Sequence, residues 1–321
     1  MTAEDPQSWR IYRGDNKPHR GIERLPSPPP WRRFDSADGS LERAVAYQAE
    51  EETVDKVNAA LLLRRPLLVT GKAGTGKTTL AHNIAFELGL GSALVWPITS
   101  KSTLHKGLYE YDAIGRVHES GLRQGTSADI GRYLRLGPLG TALLPADRPR
   151  VLLIDELDKS DIDLPNDLLN VFEEGSYPIP ELERLPEEQE VIEVMTADEG
   201  GRARITRGRV QCTAFPIVVI TSNGEREFPP AFLRRCIRLS IEPPGEARLE
   251  RIVRAHLGEA ALPHSQKIIQ RFLERRADGG ELATDQLLNA LYLAMSGGRP
   301  ADERLDDLIS SVLRPLDSTG S

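Results

Sequence analysis

Short runs of apolar residues alternate with stretches of helical periodicity along most of the chain. Strands that are apolar on both faces and interleaved with helices are typical of a parallel sheet covered on both sides. The pattern therefore predicts an α/β fold with a parallel five-stranded sheet. The five runs are Pro-Leu-Leu-Val-Thr (66–70), Ala-Leu-Val-Trp (93–96), Val-Leu-Leu-Ile (151–154), Pro-Ile-Val-Val-Ile (216–220) and, with a weaker pattern, Ile-Arg-Leu-Ser-Ile (237–241).

Helical periodicity flanks this pattern on both sides. Between Glu50 and Leu63 apolar residues recur three or four positions apart, which predicts a helix before the first strand. A helical pattern also runs from Glu246 to about Met295 and predicts a small C-terminal helical unit. The polar tail over 301–321 is expected to fray.

Two intervals between predicted strands, 97–150 and 171–215, are too long for a single crossover helix. The second contains Val191-Ile-Glu-Val194 and Ala203-Arg-Ile-Thr206 on either side of Asp198-Glu-Gly-Gly201. Two short runs rich in β-branched residues around a glycine-containing turn predict a β-hairpin.

The first 45 residues are rich in proline, arginine and tryptophan. Four prolines within 26–30 exclude a helix or a central strand there. The alternatives are a disordered leader and an extended arm that packs on a surface. Trp9, Trp31 and Phe34 favour the packed arm, because large aromatic side chains are costly in free solvent.

Composition and charge narrow the class of protein. The chain has 321 residues, 28% charged and 39% hydrophobic, with a net charge of −7. These values exclude wholesale disorder and a disulfide scaffold, and the acidic balance argues against dedicated nucleic-acid binding. Cys212 and Cys236 lack metal-type spacing and are expected to be reduced thiols. No secretory signal and no run of about 20 apolar residues are found, so we expect a cytoplasmic protein without membrane association.

The strongest chemical signal lies directly after the first predicted strand and before a predicted helix. Gly71-Lys-Ala-Gly-Thr-Gly-Lys77-Thr78 matches the pattern GxxxxGK[ST] in full. Glycines allow backbone N–H groups to converge on phosphate oxygens, and the helix N-terminus adds a favourable dipole. Lys77 would neutralise the β- and γ-phosphates, and Thr78 offers a hydroxyl to Mg²⁺. The expected nucleotide-binding residues are Gly71, Lys72, Ala73, Gly74, Thr75, Gly76, Lys77, Thr78 and Thr79.

Polar residues follow two further apolar strands. Asp155 and Glu156 close the run 151–154, at the carboxyl end where ligands bind in open α/β sheets. Asp155 would hold Mg²⁺, and Glu156 would act as the general base on the attacking water. Asn223 follows the run 216–220 and would orient that water or contact the γ-phosphate; the alternative is an Asx turn into Gly224.

Arg234 and Arg235 end the segment Phe228-Pro-Pro-Ala-Phe-Leu-Arg-Arg. Arginine suits a γ-phosphate because its charge is permanent and its donors form a fork. The alternatives are a solvated arginine pair at a helix end, or a local ion pair of Arg235 with Glu225 or Glu227.

In this order, the motifs resemble those of the AAA+ ATPases, and within them the MoxR-like group, over about 45–300. The 71–78 loop, Ile154-Asp155-Glu156, Asn223 and the segment 229–235 are similar to the Walker A, Walker B, sensor 1 and arginine-finger motifs. The resemblance implies a P-loop NTPase αβα sandwich with a small helical lid, and a ring of subunits that is usually a hexamer. It makes Arg235 the first choice for the finger and Arg234 the second.

The residue pattern, together with the resemblance over 45–300, predicts a division of the chain. An arm over 1–45 precedes a nucleotide-binding domain over 46–243, with insertions near 107–140 and 176–212. A lid over 244–300 and a tail over 301–321 follow. The chain departs from MoxR relatives where they carry a sensor-2 arginine, since Asp285 or Gln286 stands there. The arm is similar to those of MoxR-like proteins that accompany von Willebrand A-domain partners.

Three functions compete at this point. The first is an oligomer that hydrolyses ATP and remodels or activates a client protein. The second is an ATP-gated assembly or signalling switch with little turnover, which the missing sensor-2 arginine favours. The third is a nucleic-acid motor or a restriction-type GTPase. The net charge of −7 counts against the motor, and the absence of an Asn-Lys-x-Asp guanine-recognition motif favours ATP.

Overall fold

The computed structural model describes residues 11–12, 20–29, 31, 44–45, 47–122, 129–278, 282–295 and 302–314. The chain divides into two compact units. The larger consists of Ala49–Gly71 and Lys77–Ile241; the smaller combines Glu242–Ser321 with Lys72–Gly76 and the N-terminal residues up to Gln48.

Eleven strands are found in the described residues of the larger unit. They are β1 (Leu67–Thr70), β2 (Leu94–Pro97), β3 (Tyr109–Tyr111), β4 (Leu134–Leu136), β5 (Val151–Asp155), β6 (Ser176–Pro178), β7 (Val191–Met195), β8 (Arg202–Thr206), β9 (Arg209–Gln211), β10 (Ile217–Ser222) and β11 (Ile237–Ser240). Its helices are α1 (Glu51–Leu63), α2 (Lys77–Glu87), α3 (Leu104–Leu108), α4 (Ala113–Leu122), α5 (Pro138–Ala142), α6 (Leu164–Glu174), α7 (Pro180–Glu183) and α8 (Pro230–Leu233).

The main sheet has five strands in the order β11-β1-β10-β5-β2, and every neighbouring pair is parallel. All five strands coincide with the five apolar runs of the sequence, so the predicted parallel five-stranded sheet is confirmed. Leu152, Leu153 and Ile154 are fully buried in β5. Strands buried on both faces have no polar positions, which explains why their runs are continuously apolar.

A second sheet of six strands has the order β3-β4-β7-β8-β9-β6. The predicted hairpin forms its centre, with Val191 opposite Thr206 and Met195 opposite Arg202. The other strands of this sheet come from the two long intervals, and the sequence pattern does not predict them. β3, β4, β6 and β9 have only three residues each, which is too short for a period of two to stand out.

One hydrophobic core joins the two sheets. It includes Trp96 from the main sheet and Leu136 and Val194 from the second sheet. Packing is close around Trp96, since a Cβ added at Gly107 in α3 would lie 2.3 Å from its indole ring. Interiors are packed as tightly as organic crystals, so glycine is the residue that fits at this position.

The smaller unit is helical in its C-terminal part, with α9 (Glu246–Leu257), α10 (Leu262–Ala277), α11 (Thr284–Met295) and α12 (Asp302–Val312). Its core contains Phe272, Leu287 and Leu291. The expectation of a fraying tail from 301 is wrong for α12, because Ile309 and Leu313 are buried in this core. Residues 315–321 lie outside the described residues.

Two residues of the N-terminal arm, Ser27 and Trp31, contact these helices. Trp31 donates a hydrogen bond from Nε1 to Asn289 Oδ1 over 3.0 Å, and its ring meets those of His256 and Tyr292 edge-on. The Tyr292 hydroxyl donates to the carbonyl oxygen of Ser27. Trp9 and Phe34 lie outside the described residues.

The two cysteines do not form a disulfide bond. Cys212 and Cys236 are both free thiols, and Cys236 is buried, where the loss of hydration raises its pKa to about 12. Within the described ranges, no helix combines the length and the apolar character needed to cross a membrane.

Candidate nucleotide site

The glycine-rich loop begins where β1 ends and leads into α2. Gly74 and Gly76 have φ of 73° and 91°, the left-handed region that residues with a Cβ rarely adopt. At Gly74 space is also restricted, since an added Cβ would lie 2.5 Å from Cβ of Ala283. Thr75 donates from Oγ1 to the carbonyl of Lys72 over 2.9 Å within the loop. Glycine is therefore required at Gly74 for both its backbone angle and its packing.

Lys77 is the first residue of α2 and is buried, with 6% of its surface exposed. Its Nζ donates to the carbonyl oxygen of Gly71 over 2.7 Å and to Oδ1 of Asn223 over 2.8 Å. Burial lowers the pKa of Lys77, while the nearby carboxylates of Asp158 and Glu156 oppose that shift. The ammonium group is thus held at the start of α2, directly after the glycine-rich loop.

Thr78 and Asp155 form a hydrogen-bonded pair of oxygen-bearing side chains. Thr78 Oγ1 donates to Asp155 Oδ1 over 2.9 Å, and Thr221 Oγ1 donates to the same oxygen over 2.7 Å. Asp155 is the last residue of β5, next to β10, which carries Thr221. Hydroxyl and carboxylate oxygens are the ligands that Mg²⁺ prefers, and Mg²⁺ takes its other ligands from phosphates and water. The residues present therefore fit a magnesium ion bound together with a nucleotide.

No group of three or more His, Cys, Asp or Glu side chains suited to a metal occurs in the part of the chain that the structure describes. The Thr78–Asp155 pair thus offers too few protein ligands for a self-sufficient metal centre. A cation at this point would take its remaining ligands from phosphate oxygens and water, as Mg²⁺ bound together with a nucleotide does.

Glu156 has an unusual backbone conformation. It adopts φ 60° and ψ 51°, in the left-handed region, and its N–H donates to Thr221 Oγ1 over 2.8 Å. Non-glycine residues persist in this region only where the surrounding structure holds them, most often at functional sites. Its carboxylate accepts hydrogen bonds from Asn223 Nδ2 over 3.2 Å and from Lys159 Nζ over 2.6 Å.

Asn223 links the lysine to the glutamate. It directly follows β10, with Oδ1 accepting from Lys77 and Nδ2 donating to Glu156. The structure therefore brings five predicted site residues together at the carboxyl ends of β1, β5 and β10. They are Lys77, Thr78, Asp155, Glu156 and Asn223.

Three further residues belong to this cluster and are not among the predicted site residues. Asp158 is buried and accepts from the N–H groups of Asn223 and Glu225 over 2.9 and 3.0 Å. Thr221 bonds both Asp155 and the backbone of Glu156. Lys159 pairs with Glu156. Thr221 could have been found in the sequence, because it is a hydroxyl residue at the polar end of an apolar strand. The sequence contains no comparable indication that Asp158 and Lys159 belong to the cluster.

Arg235 does not join this cluster in its own chain. Its Nε makes a short ion pair with Oε1 of Glu173 in α6, and its Nη1 donates to the carbonyl oxygen of Ala231 over 3.3 Å. The acid that pairs with Arg235 is therefore neither Glu225 nor Glu227, because the C-terminal end of α6 lies closer. Arg234 is exposed, and its carbonyl oxygen accepts from Arg65.

Asp285 and Gln286, the two residues that the resemblance puts in place of a sensor-2 arginine, lie in the first turn of α11. Gln286 bonds within the helical unit. Its side chain accepts from the N–H of Ala283 over 2.9 Å and donates to the carbonyl oxygens of Val312 and Arg314 over 3.2 and 2.9 Å. Gln286 therefore stabilises the helical unit, joining the start of α11 to the end of α12. Asp285 beside it is exposed.

The parallel sheet and the glycine-rich loop that leads into α2 define a P-loop NTPase fold. A family model for the AAA domain (dynein-related subfamily) matches residues 66–236, more than half of the chain. The chain belongs to this AAA family. No curated protein matches it.

Among solved structures, the chain is similar to NtrX from Brucella abortus in complex with ADP. The identity is 14% and the TM-score 0.40, over 88% of this chain and 59% of that chain. The chain thus spans somewhat more than half the length of the NtrX chain.

Proposed function

We propose that the protein is a Mg²⁺-dependent ATPase of the MoxR-like group that hydrolyses ATP to ADP and phosphate. The observation that carries this proposal is the continuous hydrogen-bonded chain Lys77–Asn223–Glu156 beside the Thr78–Asp155 pair. It joins a phosphate-binding cation, a neutral polar side chain and a carboxylate next to a pair of magnesium ligands. These are the groups that phosphoryl transfer to water requires.

Each residue has a distinct task in this proposal. The backbone N–H groups of 71–79 bind the phosphates, and Lys77 neutralises the β- and γ-phosphates. Thr78 and Asp155 hold Mg²⁺, which supplies positive charge to the phosphate oxygens when bound. Glu156 accepts the proton of the attacking water, and Asn223 orients that water. ATP is preferred over GTP because the sequence has no Asn-Lys-x-Asp motif.

Two substitutions test the proposal. Lys77→Ala should sharply weaken ATP binding, because it removes the cation at the phosphates. Glu156→Gln should bind ATP with wild-type affinity and lose turnover by about 10²–10⁴-fold, because an amide keeps the shape and cannot accept the proton. Phosphate release and equilibrium nucleotide binding are the two measurements. Unchanged affinity in Lys77→Ala, or wild-type turnover in Glu156→Gln, would contradict the assigned roles.

We further propose that the protein is a homo-oligomer, a hexameric ring, that remodels or activates a partner protein in the cytoplasm. Arg235 supports assembly, because it lies outside its own chain's cluster and is only partly buried. The six-stranded sheet supports a protein partner, such as one with a von Willebrand A domain, since it adds a second surface to the nucleotide-binding sheet.

An ATP-gated assembly switch with little turnover is the second candidate function. Gln286 favours it, because its side chain is engaged in holding α11 to α12 and supplies no cation. Turnover with ATP and GTP, measured with and without DNA, RNA or partner protein, separates the candidates. Appreciable ATP turnover on assembly supports the ATPase, assembly without turnover supports the switch, and turnover stimulated by nucleic acid supports the less favoured motor.

A further inference from the structure

Both carboxylate oxygens of Glu156 already have partners within the chain. Oε2 lies 2.6 Å from Nζ of Lys159, and Oε1 accepts from Nδ2 of Asn223 over 3.2 Å. A general base must present an oxygen to the proton that it takes, within hydrogen-bond reach of the water. The Lys159 ammonium competes for the oxygen that Asn223 leaves available.

The backbone around Glu156 fixes this pairing. The left-handed conformation of Glu156 is followed by a 3₁₀ turn over Leu157–Lys159, and the Lys159 N–H donates to the carbonyl oxygen of Glu156 over 3.0 Å. The turn places Lys159 three residues after Glu156 on the same side of the chain. The anchor of Glu156 on Thr221 keeps the start of this turn in place.

The side chain of Lys159 is free to leave. It is 41% exposed and Glu156 is 38% exposed, so the ion pair is hydrated and its net contribution is small. The hydrogen bond that Lys159 donates to Glu156 raises the pKa of Lys159, and the negative charges of Glu156, Glu225 and Asp158 add to this shift. Glu225 is exposed and can accept the ammonium group when Glu156 turns towards water.

We propose that Lys159 is a positioning residue that restrains Glu156 and thereby lowers ATP turnover until the ion pair opens. This inference rests on the proposed function, since it requires Glu156 to be the base. In this proposal, Lys159 alone determines when the Glu156 carboxylate can act as the base. Nucleotide binding does not depend on Lys159.

Removal of the ammonium group tests the restraint. Lys159→Met keeps the length of the side chain and should raise kcat by about 1.5- to five-fold, the range that corresponds to loss of one exposed ion pair. KM and ATP affinity should stay within about two-fold, because the partner of Lys159 is Glu156, to which the proposed function assigns turnover and not nucleotide binding. Lys159→Arg should retain the wild-type rate, and Lys159→Gln should behave as Lys159→Met does.

Two controls separate this effect from others. Lys267→Met removes an exposed lysine of α10 and should leave kcat unchanged. The double variant Lys159→Met with Glu156→Gln should be as inactive as Glu156→Gln alone, because the restraint acts only through Glu156.

The outcomes are distinguishable. If Lys159→Met and Lys159→Gln leave kcat unchanged or lower it while Glu156→Gln abolishes turnover, the restraint is refuted and the proposed function stands. If Glu156→Gln hydrolyses ATP at the wild-type rate, the role of Glu156 fails and the inference fails with it. A change in KM with constant kcat would instead make Lys159 a binding residue, which also overturns the proposal.

Discussion

At the scale of single residues, Asp158 orders the segment that carries Asn223. Its buried carboxylate accepts from two backbone N–H groups, those of Asn223 and Glu225. Hydrogen bonds to a charged acceptor are stronger than those between neutral groups, and a buried donor that loses its acceptor is costly. Asp158 therefore fixes the backbone from which the Asn223 amide reaches both Lys77 and Glu156.

Substitution of Asp158 should lower both the stability of the fold and the rate of ATP turnover. Asp158→Ala leaves two N–H groups without their acceptor and should lower the free energy of unfolding by about 1–3 kcal/mol. Turnover should fall as well, because Asn223 loses its anchor. Urea denaturation and phosphate release are the measurements. Asp161→Ala is the matched control, since Asp161 is exposed and its carboxylate accepts from the N–H of the adjacent Ile162. Equal stability of the two variants would refute the anchoring role.

The residue types of the site could be predicted from the sequence, whereas several of their partners could not. Lys77, Asp155 and Asn223 stand at the ends of predicted neighbouring strands or at the start of a helix, so their convergence follows from the order of elements. The Lys159–Glu156 pair depends on the left-handed conformation of Glu156 and on the 3₁₀ turn that follows it. Neither feature is predicted by the pattern of apolar and polar residues. The partner of Arg235, Glu173, lies 62 positions away in α6, and no local pattern predicts this pairing.

At the scale of elements, Arg150 and Asp198 connect the two sheets. Arg150 precedes β5, and Asp198 lies in the turn between β7 and β8. The Arg150 guanidinium donates to both carboxylate oxygens of Asp198, over 3.0 and 2.7 Å. Bidentate pairs of this kind hold both side chains in a defined geometry. The hairpin is therefore attached to the main sheet by its turn as well as by its apolar side chains.

The pair makes a pH-dependent contribution to stability. Hydrogen bonds from Arg150 lower the pKa of Asp198 from its usual value of 3.8. A lowered pKa in the folded state stabilises the fold above the unfolded pKa, and this stabilisation is lost as the pH falls through the folded pKa. Asp198→Asn should thus lower the free energy of unfolding at pH 7 by about 1 kcal/mol, the order found for partly exposed pairs.

The difference between Asp198→Asn and wild type should shrink as the pH falls below 3.8, because the unfolded wild-type chain then binds a proton at Asp198 and the folded carboxylate follows at its lower pKa. Unfolding by denaturant at pH 7 and at pH 3 measures it. Glu193→Gln is the control, since its pair with Arg202 is exposed and longer, at 3.9 Å. A difference that stays constant with pH would contradict the assigned pair.

Elements of different length were predictable to different degrees. The inner main-sheet strands β1, β5 and β10 have four to six residues that are almost all buried on both faces, so their apolar runs are continuous in the sequence, whereas the edge strands β2 and β11 alternate between buried and exposed positions. The three-residue strands of the second sheet obtain their conformation from partners far along the chain, such as Tyr177 opposite Val210. Their local sequences carry no comparable constraint, because tertiary context decides the pairing of such short strands.

At the scale of the whole molecule, we expect Arg235 to act on the nucleotide of a neighbouring subunit. Its ion pair with Glu173 is exposed and worth about 0–1 kcal/mol, so the side chain is easily released towards a γ-phosphate. An arginine supplied by another subunit stabilises the charge that develops on the γ-phosphate oxygens, and such residues contribute about 10³–10⁵-fold in rate. Hydrolysis would then require assembly.

A mixture of two inactive variants tests this expectation. Arg235→Ala keeps its own phosphate loop, and Lys77→Ala keeps its own arginine. Phosphate release should appear in the mixture although neither variant is active alone. Glu173→Ala, with Arg235 intact, is the control and should hydrolyse ATP at least as fast as wild type. Full activity of Arg235→Ala alone would refute the role across subunits, and Arg234 would become the next candidate.

The strand order has a consequence for synthesis on the ribosome. β1, which leads into the phosphate loop, pairs only with β10 and β11, and these begin 150 and 170 positions later in the chain. A nascent chain that has emerged only up to residue 216 contains the whole loop sequence but neither neighbour of β1. Its apolar strand then has two unpaired edges, a state prone to aggregation. The phosphate loop therefore reaches its folded conformation late in synthesis. Chaperones that bind apolar strands have more time to act at β1 than at the other strands of the main sheet.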